Sequence, residues 1–260
     1  MLLLLVILLL IYNNHFILRH YTVETSKIQK EISIALISDL HNKEYGNGNA
    51  RVVKKLRAAA PDVIVIAGDL VDKRRPDIPV GGSFADACAE LAPTFYVSGN
   101  HEHERNNFEE IAAQLKKAQP LRNQWVEVAG IKLLGLLDHF QADGSSQEEA
   151  LSAFEREDGY KVVMIHRPAS YYKEEKLRER KIDLQLSGHT HGGVVQLPFI
   201  GPFFAPGEGL FAHYVQGMFD DGGPVLIIGG GLGNTRLPLR LFNFPEIPII
   251  SIKNKKTLAK

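Results

Sequence analysis

The sequence contains a single cysteine, Cys88. One thiol excludes an internal disulfide framework, and it also excludes a zinc site built from several cysteines. Charge of one sign is not in excess either, because 30 basic residues balance 30 acidic residues. This balance gives no sign of the basic surface that a nucleic-acid-binding protein normally presents, so no nucleic-acid partner is predicted. Any metal site must therefore use histidine, aspartate, glutamate or asparagine.

Internal repeats, low-complexity tracts and interdomain linkers are also missing from the sequence. The 260 residues can bury one large core, and 45% of them are hydrophobic, which is ordinary for a globular protein. Patterns of buried strands alternate with helical patterns along the chain, which indicates an α/β fold. We assign residues 32–260 to one main domain, and the sequence carries no signal for an oligomeric state.

One long hydrophobic run stands at the N-terminus, where residues 1–12 are uninterrupted and apolar. A helix over residues 1–18 would be roughly 27 Å long, slightly shorter than a typical hydrocarbon core. The run lacks the positive n-region and the small-residue cleavage site of a secretory signal. We therefore predict a hydrophobic anchor helix, residues 1–21, that spans a membrane or lies half-immersed in it.

Basic residues follow this run, whereas only the α-amino group precedes it. The residues concerned are Arg19, His20, Lys27 and Lys30. Because cytoplasmic segments carry an excess of positive charge, this asymmetry predicts that the main domain is anchored on the cytoplasmic face of the membrane.

The most informative stretch is residues 187–193, which read Ser-Gly-His-Thr-His-Gly-Gly after an apolar run. His189 and His191 are two positions apart, so in an extended chain both side chains point to the same side. Glycines on either side allow close approach, and histidine is the commonest metal ligand among side chains. A glycine-rich turn with two solvated histidines explains this fragment equally well, so the remaining sequence has to decide.

Four other predicted strands end in residues of the same kind. These residues are Asp39 and His41 after the strand at 32–38, Asp69 after 63–67, Asn100 and His101 after 94–98, and His166 after 161–165. Ligand sites in open α/β sheets gather outside the carboxyl ends of the strands. Each residue alone is explained equally well as a turn residue, a helix cap or a core histidine. Five such coincidences at one edge of the sheet nevertheless predict a common site.

The donor set indicates which ions would bind. Imidazoles, carboxylates and an amide oxygen without thiolates suit Mn, Fe or Zn. The candidates exceed the needs of one four-coordinate ion, whereas two ions that share a carboxylate, about 3.5–4 Å apart, would use them all. Water between two such ions is acidic enough to act as hydroxide near neutral pH. The set therefore predicts phosphoester hydrolysis.

In order, spacing and residue type, five motifs resemble those of the calcineurin-like metallophosphoesterases. They are Asp39-Leu40-His41, Gly68-Asp69-Leu70-Val71-Asp72, Gly99-Asn100-His101-Glu102, His166, and Gly188-His189-Thr190-His191, and together they cover residues 33–193. The resemblance implies a four-layer α/β/β/α sandwich with a centre of two divalent metal ions, Mn, Zn or Fe.

The resemblance also implies a role for each residue. Asp39, His41 and His191 would hold one ion. Asn100, His166 and His189 would hold the other, with Asp69 bridging the two. His101 would contact the phosphate and act as general acid toward the leaving oxygen. Asp72 and Glu102 would support the site from outside the ligand set, with Asp72 orienting a histidine, a role that tunes ligand basicity.

Residues near the C-terminus resemble one branch of this family, the YaeI-like membrane-anchored bacterial phosphodiesterases. The matching stretches are 192–193, 197–198, 231–234 and 240–247. One departure from the wider family stands out, since protein Ser/Thr phosphatases carry an arginine where this chain has Ser98. A phosphodiester or pyrophosphate carries less charge to neutralise than a monoester, so the departure favours phosphodiesterase or pyrophosphohydrolase activity.

Large apolar residues crowd the segment after the histidine pair. They are Phe199, Ile200, Phe203, Phe204, Leu210 and Phe211, which we call the apolar lip. The lip either contacts lipid beside the metal ions or packs as ordinary core. Together with the anchor it suggests a lipid-linked or UDP-sugar phosphoester substrate. The alternatives are a catalytically silent metal-binding scaffold at the membrane and a phosphomonoesterase.

Overall fold

The computed structural model describes residues 7, 9, 11–138, 145–173, 176–193, 195–197, 199–205, 208–234 and 240–255, and within them two six-stranded β-sheets form the centre. In the first sheet the strands run in the order β1 (Ile17–Thr25), β15 (Glu246–Asn254), β2 (Ile32–Ile37), β3 (Val63–Ala67), β4 (Thr94–Val97) and β5 (Gln119–Pro120). Neighbouring strands are parallel except for β15 and β2. Strands β3 and β4 are buried along their whole length, as their continuous apolar sequences predict.

The second sheet has the order β13 (Gly217–Phe219), β14 (Val225–Ile228), β9 (Leu184–Ser187), β8 (Lys161–Met164), β7 (Ile131–Gly135) and β6 (Gln124–Val128). Its inner strands are parallel, and both edge strands are antiparallel to their neighbours. The carboxyl ends of β8 and β9 therefore lie at one edge of this sheet.

Three layers of side chains separate the sheets from each other and from the helices. The helices are α1 (Ala50–Ala59), α2 (Ile78–Ala89), α3 (Asn100–Arg105), α4 (Phe108–Gln114) and α5 (Ser145–Glu155). Between the sheets, Leu36 and Val65 pack in the same core as Val162 and Leu186. On the outer faces, α1, α2 and α4 cover the first sheet, and α5 covers the second. This is a four-layer α/β/β/α sandwich, as the family resemblance implies.

A capping residue and a proline set the start of helix α2 at Ile78. The Asp77 side chain accepts a hydrogen bond from the backbone N of Val80 at 3.2 Å, and Pro79 occupies the first turn. Aspartate caps and an early proline both favour a helix start. The helix therefore includes Gly81, which packs so closely that a Cβ there would lie 2.9 Å from Val71 Cγ2.

The N-terminal segment joins the sheet sooner than predicted. Strand β1 pairs in parallel with β15 from Ile17–Glu246 to Thr25–Asn254, and Phe16 is buried beside it. The predicted anchor helix is therefore wrong for residues 17–21, because the partner strand, at the other end of the sequence, leaves no local signal. Most of the hydrophobic run over residues 1–12, namely residues 1–6, 8 and 10, lies outside the described residues. Among those described, no helix is both long and apolar enough to cross a membrane.

A three-stranded antiparallel sheet follows His189 and His191 in the sequence. Its strands are β10 (Val195–Leu197), β11 (Gly201–Ala205) and β12 (Gly209–Leu210). All six side chains of the apolar lip are exposed, and Phe199 is fully so. This exposure contradicts the alternative in which the lip packs as ordinary core.

Candidate metal centre

The predicted site residues lie together where carboxyl ends of strands from both sheets meet. Five of them have left-handed backbone conformations: Asp39 (φ 51°), His41 (49°), Asp69 (52°), His189 (76°) and His191 (51°). Such φ values are uncommon outside glycine and cluster at functional sites. They turn the chain sharply at the strand ends, so that the side chains point into one space between the sheets.

One group of donor atoms consists of Asp39, His41 and His191. The Nε2 atoms of the two histidines lie 3.2 Å apart. Asp39 Oδ1 is 3.5 Å from His191 Nε2 and 4.0 Å from His41 Nε2. Two imidazole nitrogens that face each other this closely need either a shared proton or a cation between them. All three side chains are buried, so bulk water does not meet this need.

A second group consists of Asn100, His166 and His189. Asn100 Oδ1 lies 3.1 Å from His166 Nε2 and 2.8 Å from His189 Nδ1, and the two histidine nitrogens are 3.2 Å apart. The other ring nitrogen of His166, Nδ1, donates to the carbonyl oxygen of Ala67 at 2.8 Å. That bond keeps a proton on Nδ1 and directs Nε2 into the group, so Nε2 is the nitrogen that can bind a metal ion.

Asp69 lies between the two groups. Its Oδ2 is 3.6 Å from His41 Nε2 and 3.4 Å from His166 Nε2. Its Oδ1 accepts a hydrogen bond from the backbone N of His101 at 2.8 Å, which holds the carboxylate in place. One carboxylate oxygen is therefore within reach of both groups.

The pair His189 and His191 does not act as one unit. In a strand, residues at i and i+2 point to the same side, but both residues have left-handed backbones and lie in a turn. His189 consequently joins Asn100, whereas His191 joins His41. The interpretation in which both histidines point to the same side of an extended strand is therefore wrong, and each histidine lies in a different group.

Electrostatics prepare most of these histidines to bind a cation. Burial lowers the pKa of His41 to about 4 and holds the pKa values of His189 and His191 well below the usual value. These rings are therefore neutral at pH 7. His166 differs, because burial lowers its pKa but the carboxylates of Asp69, Asp39 and Asp138 together outweigh burial and raise the pKa to about 10. A cation that binds there has to displace a proton.

The backbone of His189 holds the Asp39 carboxylate in place. The backbone N of His189 donates to both carboxylate oxygens at 3.2 and 3.0 Å, while burial raises the pKa of Asp39 to about 6. A Cβ on Gly188 would lie 2.6 Å from Asp39 Oδ2. The glycine before the first histidine is therefore required by close packing against this carboxylate.

His101 has a defined tautomer. The backbone N of Lys73 donates to His101 Nδ1 at 3.1 Å, so the neutral ring carries its proton on Nε2. His101 Nε2 lies 3.9 Å from Asp69 Oδ2 and its side chain is 13% exposed, so the proton points toward the site from its open side. Burial lowers the pKa of His101.

Glu102 and Asp72 support the site in different ways. Glu102 is fully buried, and its Oε2 accepts hydrogen bonds from the backbone N atoms of Asp69 (2.8 Å) and Gly99 (2.7 Å). It thereby ties the loop after β3 to the start of α3. The Asp72 carboxylate accepts a hydrogen bond from Arg74, whose Nη2 lies 2.6 Å from Oδ2. Among the described residues this carboxylate makes no hydrogen bond to a histidine ring. The predicted orienting contact of Asp72 is therefore replaced by an ion pair with a near neighbour.

Two supporting residues escaped the sequence analysis. Arg240 is buried and donates to the carbonyl oxygens of Gly230 (2.9 Å) and Gly233 (2.6 Å), and burial lowers its pKa to about 10. Asn243 Nδ2 donates to the carbonyl oxygen of His191 at 2.7 Å. Both residues lie in an irregular loop without periodicity, so no sequence pattern marks them as supports of the site.

Comparisons with known proteins show to which proteins this chain is similar. A family model described as calcineurin-like phosphoesterase matches residues 32–193. An uncharacterized metallophosphoesterase of Aquifex aeolicus is 30% identical over 250 residues, which cover 90% of this chain and 91% of that protein. The uncharacterized metallophosphoesterase YkuE of Bacillus subtilis is 29% identical over 240 residues, covering 85% of this chain and 79% of that protein. Two longer relatives are matched over 62% of their own length.

The fold also has a counterpart among solved structures. The crystal structure of TT1561 of Thermus thermophilus superimposes with a TM-score of 0.52 at 14% sequence identity. The match covers 78% of this chain and 91% of that one. At this identity the likeness shows the fold alone.

Proposed function

Because the chain belongs to the calcineurin-like phosphoesterase family, whose members are metal-dependent phosphoester hydrolases, we propose that it is a phosphodiesterase or pyrophosphohydrolase with two divalent ions, Mn, Zn or Fe. One observation carries the proposal: Asp69 Oδ2 lies within 3.6 Å of donor nitrogens in both ligand groups. Two separate groups that share one carboxylate oxygen match the donor arrangement of a two-ion centre.

In this proposal Asp39, His41 and His191 hold one ion. Asn100, His166 and His189 hold the other, and Asp69 contributes to both. When bound, the ions supply Lewis-acid activation of the phosphoryl group and of water. The protein keeps the rings of His41, His189 and His191 neutral, holds the donors in place and excludes bulk water from the buried sides of the site.

His101 supplies the proton in the proposed reaction. Lys73 fixes its tautomer so that Nε2 carries a hydrogen that points to the open side of the site. When the bond to the leaving oxygen breaks, that oxygen gains negative charge, and a nearby N–H stabilises it by donating its proton. A merely structural histidine has no need for a proton directed at the substrate side.

The preference for a diester or pyrophosphate rests on position 98. Ser98 is buried, and its Oγ accepts a hydrogen bond from the backbone N of Asp138 at 3.0 Å, so it offers no cation to the substrate. A monoester brings more negative charge to the site than a diester does, and it depends more on such a cation. The chain therefore fits the less charged substrates better.

We further propose that the enzyme acts at the cytoplasmic face of a membrane, on a lipid-linked or UDP-sugar substrate. Two features support this location. The exposed apolar lip follows His191 by only a few residues. Tyr12, at the end of the hydrophobic run, packs against Phe244 with ring centroids 4.5 Å apart. Leu241, three residues before Phe244, accepts a hydrogen bond at its carbonyl oxygen from the backbone N of Gln196 in β10. Tyr12 therefore lies against the segment that contacts β10, the strand before the lip.

A substrate panel with added Mn²⁺ tests the reaction. We expect a chromogenic phosphodiester and a UDP-linked lipid to be hydrolysed faster than an aryl phosphomonoester, and the variant His101→Asn to lose most of the rate. The exposed His20, on β1, offers a matched control, and His20→Asn should keep the rate. A metal-binding scaffold predicts no rate in any variant, whereas a phosphomonoesterase predicts faster hydrolysis of the monoester.

The membrane proposal has its own test. The double variant Phe199→Glu/Leu210→Glu changes two exposed side chains, so we expect it to fold normally and to lose activity on a micellar lipid-linked substrate while keeping activity on a soluble diester. Trp125→Gln, at a partly exposed site on β6, serves as the control. Unchanged activity of the double variant on both substrates would contradict a lipid contact at the lip.

A further inference from the structure

Arg167, the residue after His166, is held in a defined orientation by a buried carboxylate. Its Nε lies 3.1 Å from both oxygens of Asp138, whose side chain is 1% exposed, whereas the Arg167 side chain is 32% exposed. A buried carboxylate requires a cationic partner, and here the contact uses Nε of the guanidinium. One end of the side chain is therefore anchored while the other faces solvent.

The contact between Arg167 and Asp138 lies at the edge where the two sheets meet. Asp138 follows β7 and Arg167 follows β8 in the second sheet, and the backbone N of Asp138 donates to Ser98 Oγ at the end of β4 in the first sheet. Ser98 is two residues before Asn100 in the sequence, and Arg167 is adjacent to His166. Arg167 is therefore the chain neighbour of one member of the group formed by Asn100, His166 and His189.

The terminal nitrogens of Arg167 remain available. Across the ranges that the structure describes, neither of them makes a hydrogen bond, although a guanidinium carries five N–H donors in a planar fork. An anchored, partly exposed fork of this kind suits a phosphate, which arginine binds with two parallel hydrogen bonds.

We infer that Arg167, held by Asp138, forms a subsite for a second phosphoryl group, so that the substrate class is the pyrophosphate diesters. This inference rests on the proposed function. One phosphoryl group occupies the metal centre and its neighbour contacts Arg167. Water adds to the first phosphorus atom, and the bond from that atom to the bridging oxygen breaks. The bridging oxygen leaves on the second phosphoryl group, so that one water and one diester give two phosphate monoesters.

The subsite gives Arg167 a chemical task in this reaction. Negative charge develops on the leaving phosphoryl group as the bridging bond breaks, and a fixed guanidinium stabilises that charge without reorganising. A simple phosphodiester with an aryl leaving group has no second phosphoryl group to contact the arginine. The contribution of Arg167 therefore depends on the substrate, whereas an arginine that merely joins the two sheets affects all substrates equally.

Two measurements on the Mn²⁺-loaded chain test the subsite. The first is the ratio of kcat/KM for a uridine diphosphate sugar to kcat/KM for bis(p-nitrophenyl) phosphate. The second is the Kd of a non-hydrolysable methylene analogue of the pyrophosphate diester, measured by calorimetry. In Arg167→Gln we expect the ratio to fall and the Kd to rise, each at least tenfold. Arg167→Lys keeps the charge but not the fork, so it should fall between.

Arg122 offers a matched control, because its guanidinium is paired with the exposed Glu109 on α4. Arg122→Gln should change neither the ratio nor the Kd. Equal losses on both substrates in Arg167→Gln and Arg167→Lys, with an unchanged Kd, would overturn the subsite in favour of a purely structural role. A wild-type chain that cleaves the simple diester but not the pyrophosphate diester would also overturn it, and would leave the proposed function standing. Hydrolysis of neither substrate would refute the proposed function itself.

Discussion

Replacing Gly99 by alanine tests whether close packing places the carboxylate shared by the two ligand groups. Gly99 lies between β4 and α3 with φ −107° and ψ −172°, a conformation that alanine adopts without strain. The added Cβ, however, would lie 2.2 Å from Asp69 Oδ1 and 2.5 Å from the Asp69 backbone N. The substitution is therefore a purely steric change aimed at one carboxylate.

The size of the required shift follows from these distances. Real Cβ contacts essentially never fall below 3.0 Å, so Oδ1 must retreat by about 0.8 Å or more. Metal–ligand distances tolerate deviations of only about 0.2 Å. The retreat also strains the hydrogen bond from the His101 backbone N to Oδ1, which is 2.8 Å long. We expect Mn²⁺ affinity to fall about 100-fold, and overpacking to cost about 1–3 kcal/mol of the free energy of unfolding.

Equilibrium dialysis with Mn²⁺ and urea unfolding of the metal-free protein measure the two effects separately. Gly82→Ala is the control, because its nearest neighbours would lie 3.7 Å or more from the new Cβ. That variant removes a glycine from helix α2 and should gain about 0.5–1 kcal/mol without changing metal binding. Wild-type Mn²⁺ affinity in Gly99→Ala would refute the reasoning, because the position of the carboxylate would then not depend on the missing side chain.

Three further changes have expected outcomes. His101→Asn should lower kcat about 10²–10⁴-fold, and more for alkyl than for nitrophenyl leaving groups; equal losses would contradict a proton donor. Metal affinity should rise with pH up to about 10, because an ion must displace the proton that Asp69 holds on His166. Calorimetry in buffers of different ionisation enthalpy should detect the release of this proton. A metal affinity that is flat above pH 7 would contradict the displacement. In the metal-free protein this raised pKa stabilises the fold fully below the ordinary histidine pKa of about 6.5 and less as the pH rises through about 10, which urea unfolding at several pH values measures. Arg240→Gln should cost about 1–3 kcal/mol, since it leaves buried carbonyl groups without donors; an unchanged unfolding midpoint would contradict that support.

Local sequence was sufficient for much of the fold. Continuous apolar runs identified β2, β3, β4 and β8. These signals are local because each strand needs apolar residues at fixed spacing wherever it pairs. Strand β1 was missed, because its partner β15 lies more than 200 residues away and contributes nothing to the local pattern.

By itself the sequence determined the donor types and their positions at the ends of buried strands, because residue identity and apolar periodicity are local properties. Only the tertiary structure decided which contacts bring the members of each group together. His41 meets His191 across 150 positions of sequence, and left-handed turns send His189 to the other group. The tautomer of His101 and the ion pair of Arg167 with Asp138 likewise depend on contacts between distant segments. Such contacts exist only once both sheets have packed, since it is that packing which brings the strand ends together.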